Sequence, residues 1–248
     1  GGLPFQRHPV PLLIDGVAEV HRALFLSLDQ VEDQQTRALY FRDYMSASFL
    51  LDHKERAGLA PQAQRVVRGK ADYLRLLRGW MFDADGIEGA VMKRWVESRF
   101  GLIPRSHKGP IHSAEEPRYL AYQADYVRGL YNANALEAQL DLLYCFCQYE
   151  LHRRLPGATH WRLYRGVNQL RRHDVLDHTT EGEAVVLLNN LNSFTSDRHR
   201  SCTFGDTILS TDVPLAKLLF WYDLLPGVLQ GEQEFLVIGG VYQVGVSR

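Results

Sequence analysis

Glu232 and Glu234 stand one residue apart at the head of Phe235-Leu236-Val237-Ile238, a run bounded by Gly231 on one side and Gly239-Gly240 on the other. Four consecutive β-forming apolar residues between glycines predict a strand buried on both faces. Successive strand side chains alternate, so the two carboxylates project to one side with Cα atoms about 6.5–7 Å apart. Two carboxylates that close can serve one small volume in different roles, one stabilising a developing cation while the other accepts a proton. A lone Glu-x-Glu is more commonly a solvated strand end, so the pair gains meaning only from partners elsewhere in the chain. Candidate partners are Arg165-Gly166, which closes the alternating run Trp161-Arg162-Leu163-Tyr164, and Ser210-Thr211, which closes the run from Cys202 to Leu209. Ser193-Phe194-Thr195-Ser196 is a rival to Ser210.

The elements that must position these residues divide at Leu155-Pro156-Gly157. Before it the apolar spacing is helical. Asp15 caps a helix carrying Val17, Val20, Leu24, Leu28 and Val31; a second runs over 34–52, a third over 62–82 after a turn at Gly58 and Pro61, and a fourth over 88–100. Residues 101–112 read as a loop, and Ser113-Ala114-Glu115-Glu116 as a capping box opening one or two helices to residue 154, with a break at Asn132-Ala133-Asn134. No chemistry is apparent in these 155 residues. After the break the grammar is that of strands: 161–166, 189–196, 202–211, 234–238 and 241–244, with a helix opening at Asp212-Val213-Pro214 and running through Ala216, Leu219 and Phe220. The expectation is an α+β fold. A helical region, 1–155, packs on a small mixed β-core, 156–248, in one compact unit.

Bulk composition narrows the function. The chain has 248 residues, 46% hydrophobic and 23% charged, with 28 Lys plus Arg against 29 Asp plus Glu and a net charge of −1. Nothing in that balance favours nucleic acid. The richest apolar window, 215–229, is interrupted by Lys217, Asp223 and Pro226, so no membrane-spanning helix is expected, and Pro4, Arg7, His8, Pro9 and Pro11 interrupt any signal-peptide core. Cys145, Cys147 and Cys202 make no disulfide framework, which points to reduced, cytoplasmic thiols. No metal site is expected. Cys145-x-Cys147 is core on a helix, the ten His show no zinc spacing, and an EF-hand reading of Asp83-Ala84-Asp85-Gly86 fails with Glu88 at its sixth position and Arg94 at its twelfth. No Gly-x-Gly-x-x-Gly follows a strand, which argues against a classical dehydrogenase.

A strand ending Leu-Tyr-Arg-Gly, a strand ending Leu-Ser-Thr, a helix and a strand opening Glu-x-Glu resemble, over residues 160–246, the Arg–Ser–Glu arrangement of the arginine-modifying ADP-ribosyltransferases. The Leu-Asn-Ser-Phe-Thr-Ser-Asp run at 191–197 and the helical first half are similar to the dinitrogenase reductase ADP-ribosyltransferases. That resemblance implies transfer of ADP-ribose from NAD to one arginine of the nitrogenase iron protein, with a PII signalling protein as regulator. Glu234 is then suited to the oxocarbenium-like charge at C1′, Glu232 to the acceptor guanidinium and Arg165 to the pyrophosphate, and Ser210 and Thr211 to fixing the nicotinamide ribose or supporting Glu234 by hydrogen bonding. Gly166, Ser193, Thr195 and Phe220 complete the expected NAD contacts. The family motif is Ser-Thr-Ser, whereas this chain reads Ser210-Thr211-Asp212. Ser210 is preferred because a helix is expected after it, and Ser193 is kept as the alternative lining the cleft. Two other readings are an NAD glycohydrolase, which the presence of Glu232 disfavours, and a non-enzymatic module whose helical half binds a partner.

Overall fold

A computed structural model of the chain describes residues 2–51, 72–131, 135–168, 170, 174–180, 182–228 and 233–247. Helices fill the first half: α1 (Leu3–Arg7), α2 (Val17–Val20), α3 (Arg22–Asp29), α4 (Gln34–Phe49), α5 (Tyr73–Phe82), α6 (Ile87–Phe100), α7 (Pro117–Leu130) and α8 (Leu136–Arg154). Local chemistry accounts for several starts. The Asp33 carboxylate accepts the Thr36 N–H at 2.7 Å and caps α4, and Asp72 does the same for α5 through Arg75 N–H at 2.7 Å. The capping box expected at Ser113 is not made: α7 starts at Pro117 with Glu116 as N-cap and no side-chain cap, while the Ser113 hydroxyl accepts from Glu115 N–H and the Glu116 carboxylate from His112 N–H. The expected turn at Gly58 and Pro61, the beginning of the third predicted helix and the break at 132–134 lie outside the described residues.

The second half supplies β1 (His160–Val167), β2 (Asp174–Thr180), β3 (Glu183–Thr195), a short α9 (Arg198–Ser201), β4 (Thr207–Pro214), β5 (Leu218–Trp221) and β6 (Glu234–Ser247). Their order is β2-β3-β1-β4-β6-β5, with β3 also paired to β6. The fold is α+β as expected, but among the described residues every strand pairing is antiparallel, not mixed. β6 is the spine: it pairs with β3 from Thr195↔Glu234 to Glu183↔Gly245, with β5 near its start and with β4 at its end.

Two expectations are corrected here. The helix predicted from Asp212 through Phe220 is absent; β4 runs to Pro214, one 3-10 turn follows at Leu215–Lys217, and β5 begins at Leu218. Pro214 sits at the strand's last residue, where a missing N–H is harmless, and Leu218, Leu219, Phe220 and Trp221 are all fully buried, as in a strand covered on both faces. The two strands expected on either side of Gly239-Gly240 are one. Gly239 lets β6 pass a bulge in β3, since a Cβ there would stand 1.6 Å from the Asn189 carbonyl oxygen.

That bulge is where the helical half is fastened. The Asn190 amide donates to the carbonyls of Lys93 and Leu102 at 2.8 and 2.9 Å, and Asn189 Oδ1 accepts the Arg105 N–H at 2.8 Å. On the other side α8 lies on β5, with Gln148 donating to the Leu215 and Leu218 carbonyls and Tyr144 to that of Ala216. One hydrophobic cluster runs from Leu24 through Trp95 and Phe146 to Phe235 and Val244, so helices and sheet share a core. Cys147 lies within it. A buried bidentate pair, Arg37 with Glu150 at 2.5 and 2.7 Å, ties α4 to α8. Among the described residues no helix is long and apolar enough to cross a membrane.

Lys217 is a buried cation with no carboxylate paired to it among the described residues. Its ammonium donates to the Gly239 carbonyl at 2.8 Å and lies over the Tyr242 ring, while burial pulls its pKa down to about 8. Between that value and the ordinary 10.5 the unfolded chain holds the proton and the folded chain does not, so raising the pH through this window favours folding. Relative to Lys217→Met, the wild type is expected to gain about 3 kcal/mol from pH 7 to pH 10.5. Urea unfolding of both proteins across that range checks it, and a constant difference would contradict the assignment.

Candidate active site

β1 and β3 share one registered pair, Tyr164↔Thr195, and a cavity of about 550 Å³ opens beside it. Arg165 and Gly166 line it from β1, Ser193, Phe194 and Thr195 from β3, and Gln233 and Glu234 from the start of β6. The register brings these residues together. Glu234 is directly opposite Thr195, so Ser193, two residues back on the same face of β3, is its diagonal neighbour.

Glu234 is 7% exposed, and the Ser193 hydroxyl donates to its carboxylate. The same hydroxyl accepts the Trp80 indole N–H at 2.9 Å. A serine with one donor already on its oxygen has its own proton directed, here at Glu234. The Arg165 guanidinium donates to the Ser193 carbonyl at 2.7 Å and stands about 6.0 Å from the Phe194 ring centroid. Burial lowers its pKa and the nearby Glu234 charge opposes that, so the arginine remains a fixed cation facing the carboxylate. Gly166 is demanded by packing: a Cβ there would meet the Ser201 carbonyl at 2.0 Å, where the segment after α9 crosses β1. α9 is itself held by Asp197, whose carboxylate accepts the N–H groups of His199 and Arg200.

Of the residues predicted from sequence, Arg165, Gly166, Ser193, Thr195 and Glu234 meet in this cavity. Ser210 and Thr211 do not. They line a separate polar pocket with Gln6, His160 and Gln243, where the Ser210 hydroxyl faces the Gly245 carbonyl at 3.5 Å and Thr211 is bonded to Gln6 and to the Gln243 carbonyl. The reason for preferring Ser210 was the helix after it, and that helix is a 3-10 turn and a strand. Phe220 is fully buried opposite Leu236 and does not line the cavity. Glu232 lies outside the described residues.

The helical half, which seemed to carry no chemistry, forms one wall. Trp80, Met81 and Phe82 at the end of α5, with Ala84, line the cavity, and Trp80 reaches Ser193 on β3. Asp83-Ala84-Asp85-Gly86 is a turn, with Asp85 N–H on the Asp83 carboxylate and Gly86 as N-cap of α6. Tyr164, Arg200, Ser201, Thr203 and Phe204 complete the lining. The Asp197 cap ahead of Arg198-His199-Arg200 was a readable signal for that last segment. Among the described residues no group of three or more His, Cys, Asp or Glu is arranged to hold a metal.

An arginine on β1, a serine on the strand beside it and a glutamate opening a third strand thus share one cavity. The family model for dinitrogenase reductase ADP-ribosyltransferase matches residues 1–246. The NAD(+)--dinitrogen-reductase ADP-D-ribosyltransferase of Rhodospirillum rubrum is 43% identical over 245 residues, covering 98% of this chain and 89% of its own. No solved structure matches. The chain belongs to the dinitrogenase reductase ADP-ribosyltransferase family.

Proposed function

We propose that this chain transfers ADP-ribose from NAD to an arginine of the nitrogenase iron protein, inactivating it and so regulating nitrogen fixation. The match of nearly the whole chain to a relative named for that reaction carries the reading. The neighbourhood of Arg165, Ser193 and Glu234 supports it. NAD is the substrate, and the residues suit it: a buried carboxylate for the ribose, a cation for the pyrophosphate, and a glycine where bulk is excluded.

The bond that breaks joins C1′ of the ribose to the nicotinamide nitrogen, which keeps the electron pair and leaves neutral. The bond that forms joins C1′ to an acceptor guanidinium nitrogen, which gives up a proton. Positive charge builds at C1′ in between. Glu234, aimed by Ser193, accepts the ribose 2′-OH and stabilises that charge from a site where little water screens it. Arg165 holds the pyrophosphate by charge-assisted hydrogen bonds. Glu232 orients the acceptor guanidinium and takes its proton. Glu232 weighs against a glycohydrolase, and the transferase named in the matching family weighs against a non-enzymatic module. A cytoplasmic location fits a reaction that consumes NAD, and the resemblance supports a PII protein as regulator.

Ser193 takes the role of the motif serine. Ser193→Ala removes a hydrogen bond to a charged partner, roughly 1.5–3 kcal/mol, and is expected to lower kcat/KM for nicotinamide release about 10–100-fold. Ser210→Ala is expected to change it less than about twofold. The reverse ranking would return the role to Ser210. The acceptor is tested by incubation with labelled NAD and a lysate of a nitrogen-fixing bacterium. One labelled band at the iron protein is expected, and labelling that misses the iron protein would overturn the reading.

A further inference from the structure

A second cavity, of about 610 Å³, adjoins the first, and Trp80, Ala84, Arg165 and Ser193 stand in the walls of both. Arg165 therefore marks the junction. Beyond it the second cavity is lined by Arg105 and by Asp174, the first residue of β2. Nε and Nη2 of Arg105 both reach Asp174 Oδ2 at 3.0 Å. Arg105 is held in turn by its own N–H on Asn189 at the β3 bulge. The pair is half-buried rather than free on the surface, with side-chain exposures of 29% and 38%.

We propose, resting on the NAD-cleaving reading above, that this second cavity receives the adenosine half of the dinucleotide and that Asp174 selects NAD over NADP. NAD is two nucleotides joined through a pyrophosphate. With the nicotinamide ribose at Glu234 and the pyrophosphate at Arg165, the adenosine continues past Arg165. Neither the polar pocket at Ser210 nor the apolar one at Phe5 and Leu13 shares a residue with the Glu234 cavity. A carboxylate accepts hydrogen bonds from ribose hydroxyls and repels a 2′-phosphate, whereas an unpaired arginine attracts one. Arg105 alone would favour NADP. Its charge is already taken by Asp174, and Asp83 and Asp85 add negative charge to the same walls, against Lys93 and Arg165. The ammonium of Lys93 is itself held by Asp85 at 2.7 Å.

The test compares kcat/KM for nicotinamide release from NAD and from NADP. The wild type is expected to prefer NAD by about 100-fold or more. Asp174→Asn leaves the size unchanged and frees Arg105, so the preference is expected to fall at least about 10-fold, through a gain on NADP as well as a loss on NAD. Adding Arg105→Gln to Asp174→Asn is expected to abolish the gain on NADP, while Arg105→Gln alone keeps the NAD preference. A wild type that uses both nucleotides equally overturns the inference, as does an active, folded Asp174→Asn with an unchanged ratio, and both leave the NAD-cleaving reading intact. A wild type inactive on both nucleotides overturns that reading and the inference with it.

Discussion

Glu234→Gln is expected to lower nicotinamide release and arginine transfer together, by about 10²–10³ or more. The substitution keeps the shape and an oxygen for the Ser193 hydroxyl, so the β3–β6 register and the melting temperature should hold. What it removes is the negative charge that faces C1′ as the glycosidic bond stretches. Because Glu234 is 7% exposed and lies opposite a strand, little water is available to substitute for that charge. Both reactions pass through the same bond cleavage, so both fall. Release of nicotinamide and labelling of acceptor, measured on folded variant and wild type, check this. A variant that keeps hydrolysis within about tenfold would remove Glu234 from the bond-breaking step.

Glu232→Gln is expected to divide the two reactions. Transfer to protein arginine should fall by about 10² or more, while slow hydrolysis of NAD by water persists. An arginine guanidinium is protonated at any ordinary pH and attacks only as it loses a proton, so it needs the second carboxylate. Bond cleavage needs only the charge on Glu234. The assay pairs nicotinamide release with acceptor labelling. If Glu232→Gln loses hydrolysis as fully as Glu234→Gln, the division of labour between the glutamates is wrong.

Much of the architecture was legible because it is written locally. Helical spacing and caps such as Asp33 and Asp72 mark their elements within a few residues, and the break at Leu155-Pro156-Gly157 separates α8 from β1. Arg165 and Glu234 were legible because each closes or opens an apolar run. Ser210 was preferred to Ser193 on a helix that is absent, and only the register shows which serine meets Glu234: Ser193 does so because β3 pairs with β6, across 41 residues of sequence. Trp80 was invisible for the same reason, since its bond to Ser193 spans 113 residues. The false helix at 212–220 came from Pro214, which reads as a helix start but serves as a strand end. β2 was missed because Asp174-Val175-Leu176-Asp177 carries too few apolar residues to announce a strand.

The central claim is that the Arg165, Ser193 and Glu234 site moves ADP-ribose from NAD to an arginine of the nitrogenase iron protein. Purified enzyme, purified iron protein and NAD labelled in its adenosine half test it most directly, with peptide mass spectrometry to place the label and iron-protein activity measured alongside. The account predicts one ADP-ribosylated arginine, loss of iron-protein activity in step with labelling, and neither with Glu234→Gln. Nicotinamide released at the full rate with no label on the iron protein, or label on a side chain other than arginine, would contradict it.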